Sequence, residues 1–249
     1  MMPITFPDGT TAELRYPPEL DLAHTSIQPY TSAGGPPEVG RDFTAVYGQA
    51  EEVLTGWEEE GGRGKAELLT AYPDGRGGSV GFWRTSDSDY LAFQFGSWTV
   101  LVYDYQEPGA RMSDEQRSLW ATHLRGQETS GGWLILEADP PLWLTRAGEH
   151  AGPQINFWYP GVVRGVLLFA GECTPLRAGE GFKEEDIEIV DGVSIARTKN
   201  VHGDWFAFWC DPKVPMQVHV YSGQDEALID AVISGLEIRS GPTATPTSH

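Results

Sequence analysis

One order of residues occurs twice in this chain, and it limits the fold more than any composition figure does. Arg84-Thr85, followed by Asp89-Tyr90-Leu91-Ala92-Phe93, returns as Arg197-Thr198, followed by Asp204-Trp205-Phe206-Ala207-Phe208, with two residues inserted between the two parts. Next come Trp98-Thr99-Val100-Leu101-Val102-Tyr103 and Met216-Gln217-Val218-His219-Val220-Tyr221, both rich in the β-branched and aromatic residues of buried strands. After each strand a serine stands where a helix cap belongs, Ser113 with Gln116 and Ser222 with Asp225. The following apolar positions, Leu119, Trp120 and Leu124 in one copy and Leu228, Ile229, Val232 and Ile233 in the other, form one helical stripe. Gly126 and Gly235 then stand at the same offset, read as left-handed C′ residues.

A strand, a cap, a stripe and a stop repeated in one order predict a tandem duplication. The expected class is α+β: two pseudo-symmetric, mostly antiparallel β-sheets, each covered by one principal helix. The first α+β repeat is expected over 1–138 and the second over 139–239, with a boundary near Ala138-Asp139-Pro140-Pro141 and a disordered tail over 240–249. A hairpin is expected over 4–16 around Pro7-Asp8-Gly9-Thr10, and a short helix over 44–57. Strands are expected at 79–84, 89–95, 98–104, 131–137, 141–146, 154–159, 162–170, 184–190, 193–198, 204–210 and 216–221.

With 36 acidic against 17 basic residues the formal charge is −19, a field that repels phosphate backbones and anionic lipid surfaces. Nucleic acid is excluded as a partner class, and a basic protein fits better. No run of about 18 apolar residues exists, and the opening residues lack a signal-peptide pattern, so direct membrane insertion is not expected. The expected location is cytoplasmic for the chain as given, or extracytoplasmic if an upstream anchor has been removed. Cys173 and Cys210 are too few for a disulfide framework or a thiolate cluster. One bridge and two reduced buried thiols both fit.

Gly77-Gly78-Ser79-Val80-Gly81 matches the nucleophile-elbow spacing by letter, yet Ser79 leads into a strand where that motif needs a helix. Gly61-Gly62-Arg63-Gly64-Lys65-Ala66 has Ala66 in place of the metal-binding hydroxyl of a phosphate loop. His202 with Asp204, and His219 alone, lack any zinc spacing. Glu58-Glu59-Glu60 and Glu184-Glu185-Asp186 read as solvated loops. No cofactor and no metal are therefore expected. Arg84 and Arg197, related by the repeat, form a candidate clamp for an acidic group, with ion pairs to Asp89 and Asp204 as the alternative. Trp83, Trp143 and Trp158 are candidates to line a binding groove.

The closing segment 216–238, from Met216 through Gln224-Asp225-Glu226-Ala227-Leu228 to Leu236-Glu237-Ile238, resembles the end of Mog1/PsbP-like domains, and 98–128 repeats that likeness weakly. The resemblance implies a non-enzymatic α/β sandwich acting as an accessory, chaperone-like or assembly protein, with two copies fused. The first-half insertion and the extra strands after Gly126 depart from that pattern. The functional expectation is a binding or accessory protein that recognises another protein, in an assembly, chaperone-like or immunity-type role. The alternative is a hydrolase whose Ser79, or a His202–Asp204 pair, is completed by the fold. The sequence carries no signal for oligomeric state.

Overall fold

The structure, a computed structural model, describes residues 1–36, 41–54, 66–75, 78–85, 88–103, 111–149, 152–160, 164–171, 183, 186–190, 192–199, 204–210, 216–223 and 225–241. In chain order the strands are β1 (Met2–Thr5), β2 (Thr11–Arg15), β3 (Ser26–Gly34), β4 (Arg41–Tyr47), β5 (Glu67–Pro73), β6 (Ser79–Arg84), β7 (Asp89–Phe95) and β8 (Trp98–Tyr103). Helix α1 (Asp114–His123) is followed by β9 (Leu124–Glu128), β10 (Leu134–Ala138), β11 (Trp143–Leu144), β12 (Gln154–Trp158) and β13 (Gly165–Ala170). Then come β14 (Ile187–Val190), β15 (Val193–Lys199), β16 (Trp205–Cys210), β17 (Met216–Gly223), helix α2 (Glu226–Gly235) and β18 (Glu237–Ser240).

The chain forms two compact units, a continuous one over Pro29–Thr145 and a split one made of Met1–Gln28 with Arg146–His249. In the continuous unit hydrogen-bonded neighbours run β5-β6-β7-β8-β4-β3, with β11 on β3 and with β9 and β10 as a separate hairpin. In the split unit they run β14-β15-β16-β17-β13-β12, with β1-β2-β18 as a separate three-stranded sheet. The registered pairs within both units are antiparallel.

The expected class, α+β with two sheets each covered by a principal helix, is corrected by this arrangement: the chain is predominantly β and its strands form four antiparallel groups. Each helix has ten residues and so spans about 15 Å, whereas six strands at about 4.8 Å spacing extend about 24 Å. Neither helix can cover its sheet. They also rest on different strands, α1 on β5, β6 and β7, and α2 on β16, β17 and the 3-10 turn Pro18–Leu20.

Several local expectations are corrected as well. Residues 44–57 do not form one helix: β4 runs to Tyr47, Gly48 turns the chain at φ +129°, and 50–54 are helical, with 55–57 outside the described residues. Thr44, Val46 and Tyr47 favour an extended chain, and a backbone at φ above zero is easiest for glycine. Ser113 does cap α1, with its Oγ accepting from Gln116 N at 3.2 Å and Gln116 Oε1 accepting from Ser113 N at 2.9 Å. Ser222 caps nothing. It ends within β17, and Asp225 caps α2 by accepting from Ala227 N at 3.1 Å.

Neither Gly126 nor Gly235 takes up a left-handed C′ position, since Leu124 and Leu236 follow the helices in extended conformation. Gly126 is required instead because the Phe95 ring lies where its Cβ would be, and Gly235 because Pro17 packs against it. In the split unit the apolar stripe Leu228, Ile229 and Val232 is buried, as are Ile155, Phe157, Val166, Leu168, Val218 and Val220. Each such side chain contributes roughly 1.5–3 kcal/mol on burial.

Candidate functional site

In the continuous unit, strand alternation sorts β5, β6 and β7 into two faces. Phe82 faces α1, where the Arg117 guanidinium lies 4.1 Å from its ring centroid. Tyr72 shares that face, its hydroxyl donating to Asp114 Oδ1 at 2.5 Å and accepting from Arg117 Nε at 2.7 Å. The register pairs Leu68 with Trp83, Ala71 with Gly81, and Pro73 with Ser79, and a bulge between Leu68 and Thr70 keeps Leu68 and Ala71 on the side away from Phe82.

That second face carries a groove of about 810 Å³, lined by Leu68 and Ala71 of β5, Ser79, Gly81 and Trp83 of β6, Ala92 and Gln94 of β7, and residues 49–52. Its floor is small side chains. A Cβ on Gly81 would come within 2.7 Å of Trp83 Nε1, so glycine is what lets the indole lie over the sheet. One wall is the helical segment 50–54, seated by Val53 and Leu54 on Tyr90, Ala92 and Leu101. Gln94 is held by its own bonds, with Nε2 donating to Gly96 O at 2.9 Å and to Trp98 O at 3.2 Å. Glu51 and Glu52 stand exposed on the wall, and among the described residues no arginine, lysine, histidine or cysteine lines the groove.

Of the sequence candidates, Trp83 enters this groove, half-buried. Trp143 is 55% exposed on β11 and lies over Gly34. Trp158, in the split unit, is half-buried beside Tyr221, with ring centroids 6.1 Å apart. Arg84 donates twice to the buried Asp89, from Nε at 2.8 Å and from Nη2 at 3.1 Å. Arg197 pairs with Asp230 of α2 at 2.7 Å, and not with Asp204.

The two arginines are not equivalent in their units. Tyr90 pairs with Tyr103 and Trp83 with Tyr90, whereas Phe206 pairs with Tyr221 and Thr198 with Phe206. With Tyr103 and Tyr221 aligned, Lys199 takes the place of Arg84, and Arg197 the place of Phe82. The matching letters run one residue out of step with the ladder at β16 and two residues out of step at β15.

Ser79 is exposed, opens β6 and borders both the groove and a second cavity of about 270 Å³, and among the described residues no histidine lines either one. The strand after it denies the elbow geometry its helix. His202, Cys173, residues 61–65, Glu58–Glu60 and Glu184–Glu185 lie outside the described residues. His219 is half-buried, with its ring nitrogen Nε2 buried, between Phe169 and Phe208 at centroid distances of 4.3 and 4.1 Å, and among the described residues its Nε2 has no hydrogen-bond partner. Burial pushes its pKa down to about 4. Among the described residues no group of three or more His, Cys, Asp or Glu is placed to hold a metal. Cys210 is fully buried and disulfide-bonded.

Sequence reasoning missed Glu51, Glu52, Leu68, Gly81 and Gln94. The only local signal was small residues recurring at every second position, Ser79 and Gly81, opposite Ala92. No family model, curated protein or solved structure matches this chain.

Proposed function

We propose that the protein is a non-enzymatic binding protein whose β5 edge and adjoining groove take up an extended segment of another protein. The observation that carries this is the state of β5. It ends the strand order of its unit among the described residues, all of it but Tyr72 is exposed, and Leu68 and Leu69 are 51% and 42% exposed. Sheet edges are usually blunted by charge, proline or cover, because an open ladder accepts another strand. In β5 the charge and the proline stand at the two ends, Glu67 and Pro73, and the bulge lies between Leu68 and Thr70, while the exposed leucines beside a groove suit strand addition, with backbone hydrogen bonds for affinity and the groove for side-chain choice. The role agrees in kind with what the Mog1/PsbP-like resemblance implies.

A displayed library of twelve-residue peptides, selected on the full chain, tests the reading. Selected peptides should bind the native chain and lose at least ten-fold affinity on the L68D/L69D variant. Selected peptides that bind that variant unchanged would count against it.

The disulfide at Cys210 supports an oxidising compartment as the place of this work, since such bonds persist poorly in a reducing cytosol. Thiol alkylation of the protein unfolded in denaturant, before and after reduction, tests this: labelling only after reduction is expected, and labelling beforehand would refute it.

Among the described residues no helix is long and apolar enough to cross a membrane.

A further inference from the structure

We infer that the groove receives a cationic side chain, lysine or arginine, carried by the docked segment; this rests on the strand-docking reading above. The groove offers three things that a cation uses and a neutral apolar group does not. Glu51 and Glu52 both stand on its wall, and no hydrogen bond or ion pair engages either carboxylate among the described residues. Among the described residues no basic side chain lines the groove to neutralise them. The Trp83 indole lies over the floor, and a ring face attracts ammonium and guanidinium groups within about 6 Å.

The shape fits a long side chain rather than a bulky one. Gly81, Ala71 and Ala92 keep the floor low, so the aliphatic stem of a lysine or arginine can lie on apolar surface while its head reaches the carboxylates. Gln94, tied to backbone carbonyls, holds the far wall in place. The formal charge of −19 draws basic segments toward the molecule in general, whereas the groove adds two carboxylates beside an indole and an open strand. Selectivity is therefore expected to reside in Glu51 and Glu52, and not in bulk charge.

The test uses three capped octapeptides of alternating pattern, (Val-Lys)4, (Val-Gln)4 and (Val-Glu)4, titrated calorimetrically into the full chain. The lysine peptide should bind at least ten-fold more tightly than the glutamine peptide, and the glutamate peptide more weakly still. In the E51Q/E52Q variant the lysine preference should fall to within two-fold. It should persist in E13Q/E226Q, which removes two exposed carboxylates elsewhere and changes the net charge equally. W83A should weaken the lysine peptide, with W83F partly restoring it.

Equal binding of the lysine and glutamine peptides to the native chain would overturn the cation inference and leave strand docking standing. An equal loss of preference in E13Q/E226Q would also overturn it, by assigning the preference to bulk charge. If none of the three peptides binds, the docking reading fails as well.

Discussion

Asp89, with its side chain only 1% exposed, persists as a buried carboxylate because four donors meet it: Arg84 Nε at 2.8 Å and Nη2 at 3.1 Å, Arg111 Nη1 at 2.9 Å, and Met112 N at 3.2 Å. Burial alone would raise its pKa, yet the two guanidiniums and the amide together hold it below the usual carboxylate range. Asp89→Asn leaves those donors facing a neutral amide, and it should cost about 3 kcal/mol in chemical denaturation. His219 works in the opposite sense. Its folded pKa of about 4 lies below the unfolded value near 6.5, so between those values the unfolded chain binds the extra proton. Stability should therefore fall as pH drops from 6.5 to 4, by up to about 3 kcal/mol, and remain flat with respect to this group above 6.5. Urea midpoints measured across that range should slope in the native chain and lose that slope in His219→Leu, the residue that Leu101 supplies at the matching ladder position. Asp89 loses its contribution in a lower range, as pH falls through its depressed folded value.

Elements whose signal is local were legible in the sequence, and those that depend on partners were not. The hairpin β1–β2, strands β6 to β8 and β15 to β17, and the Ser113 cap each follow from adjacent residues. Ser113→Ala should accordingly cost about 1 kcal/mol, read as a drop of a few degrees in melting temperature, while Ser222→Ala should leave α2 capped by Asp225. Strand β5 was missed because the bulge between Leu68 and Thr70 interrupts its alternation. Strand β18 was missed because its four residues gain their meaning only from pairing with β2. Gly126 and Gly235 were misread because close approach by Phe95 and Pro17, rather than backbone handedness, demands glycine there. Of the groove, Trp83 stood out by residue type alone. Glu51 and Glu52 join it only because Val53 and Leu54 pack the segment 50–54 onto β7 and β8, a non-local event.

At the scale of the molecule, the two units repeat one strand order, an antiparallel pair joined to a four-strand meander, while their helices rest on different strands. The repeated letters in the sequence report the shared connectivity, and the one-residue offset at β16 shows why they mislead about individual side chains. The groove belongs to the continuous unit. The disulfide-bonded Cys210 belongs to the split one. Reduction should destabilise the chain by about 2–4 kcal/mol, seen as a lower melting temperature with reductant than without. The claim on which the account turns is that β5 is an open docking strand, and amide hydrogen exchange with and without the (Val-Lys)4 peptide tests it most directly. The account predicts slowed exchange over 67–73 of β5 on adding the peptide. Unchanged exchange there with a saturating, binding peptide would contradict it.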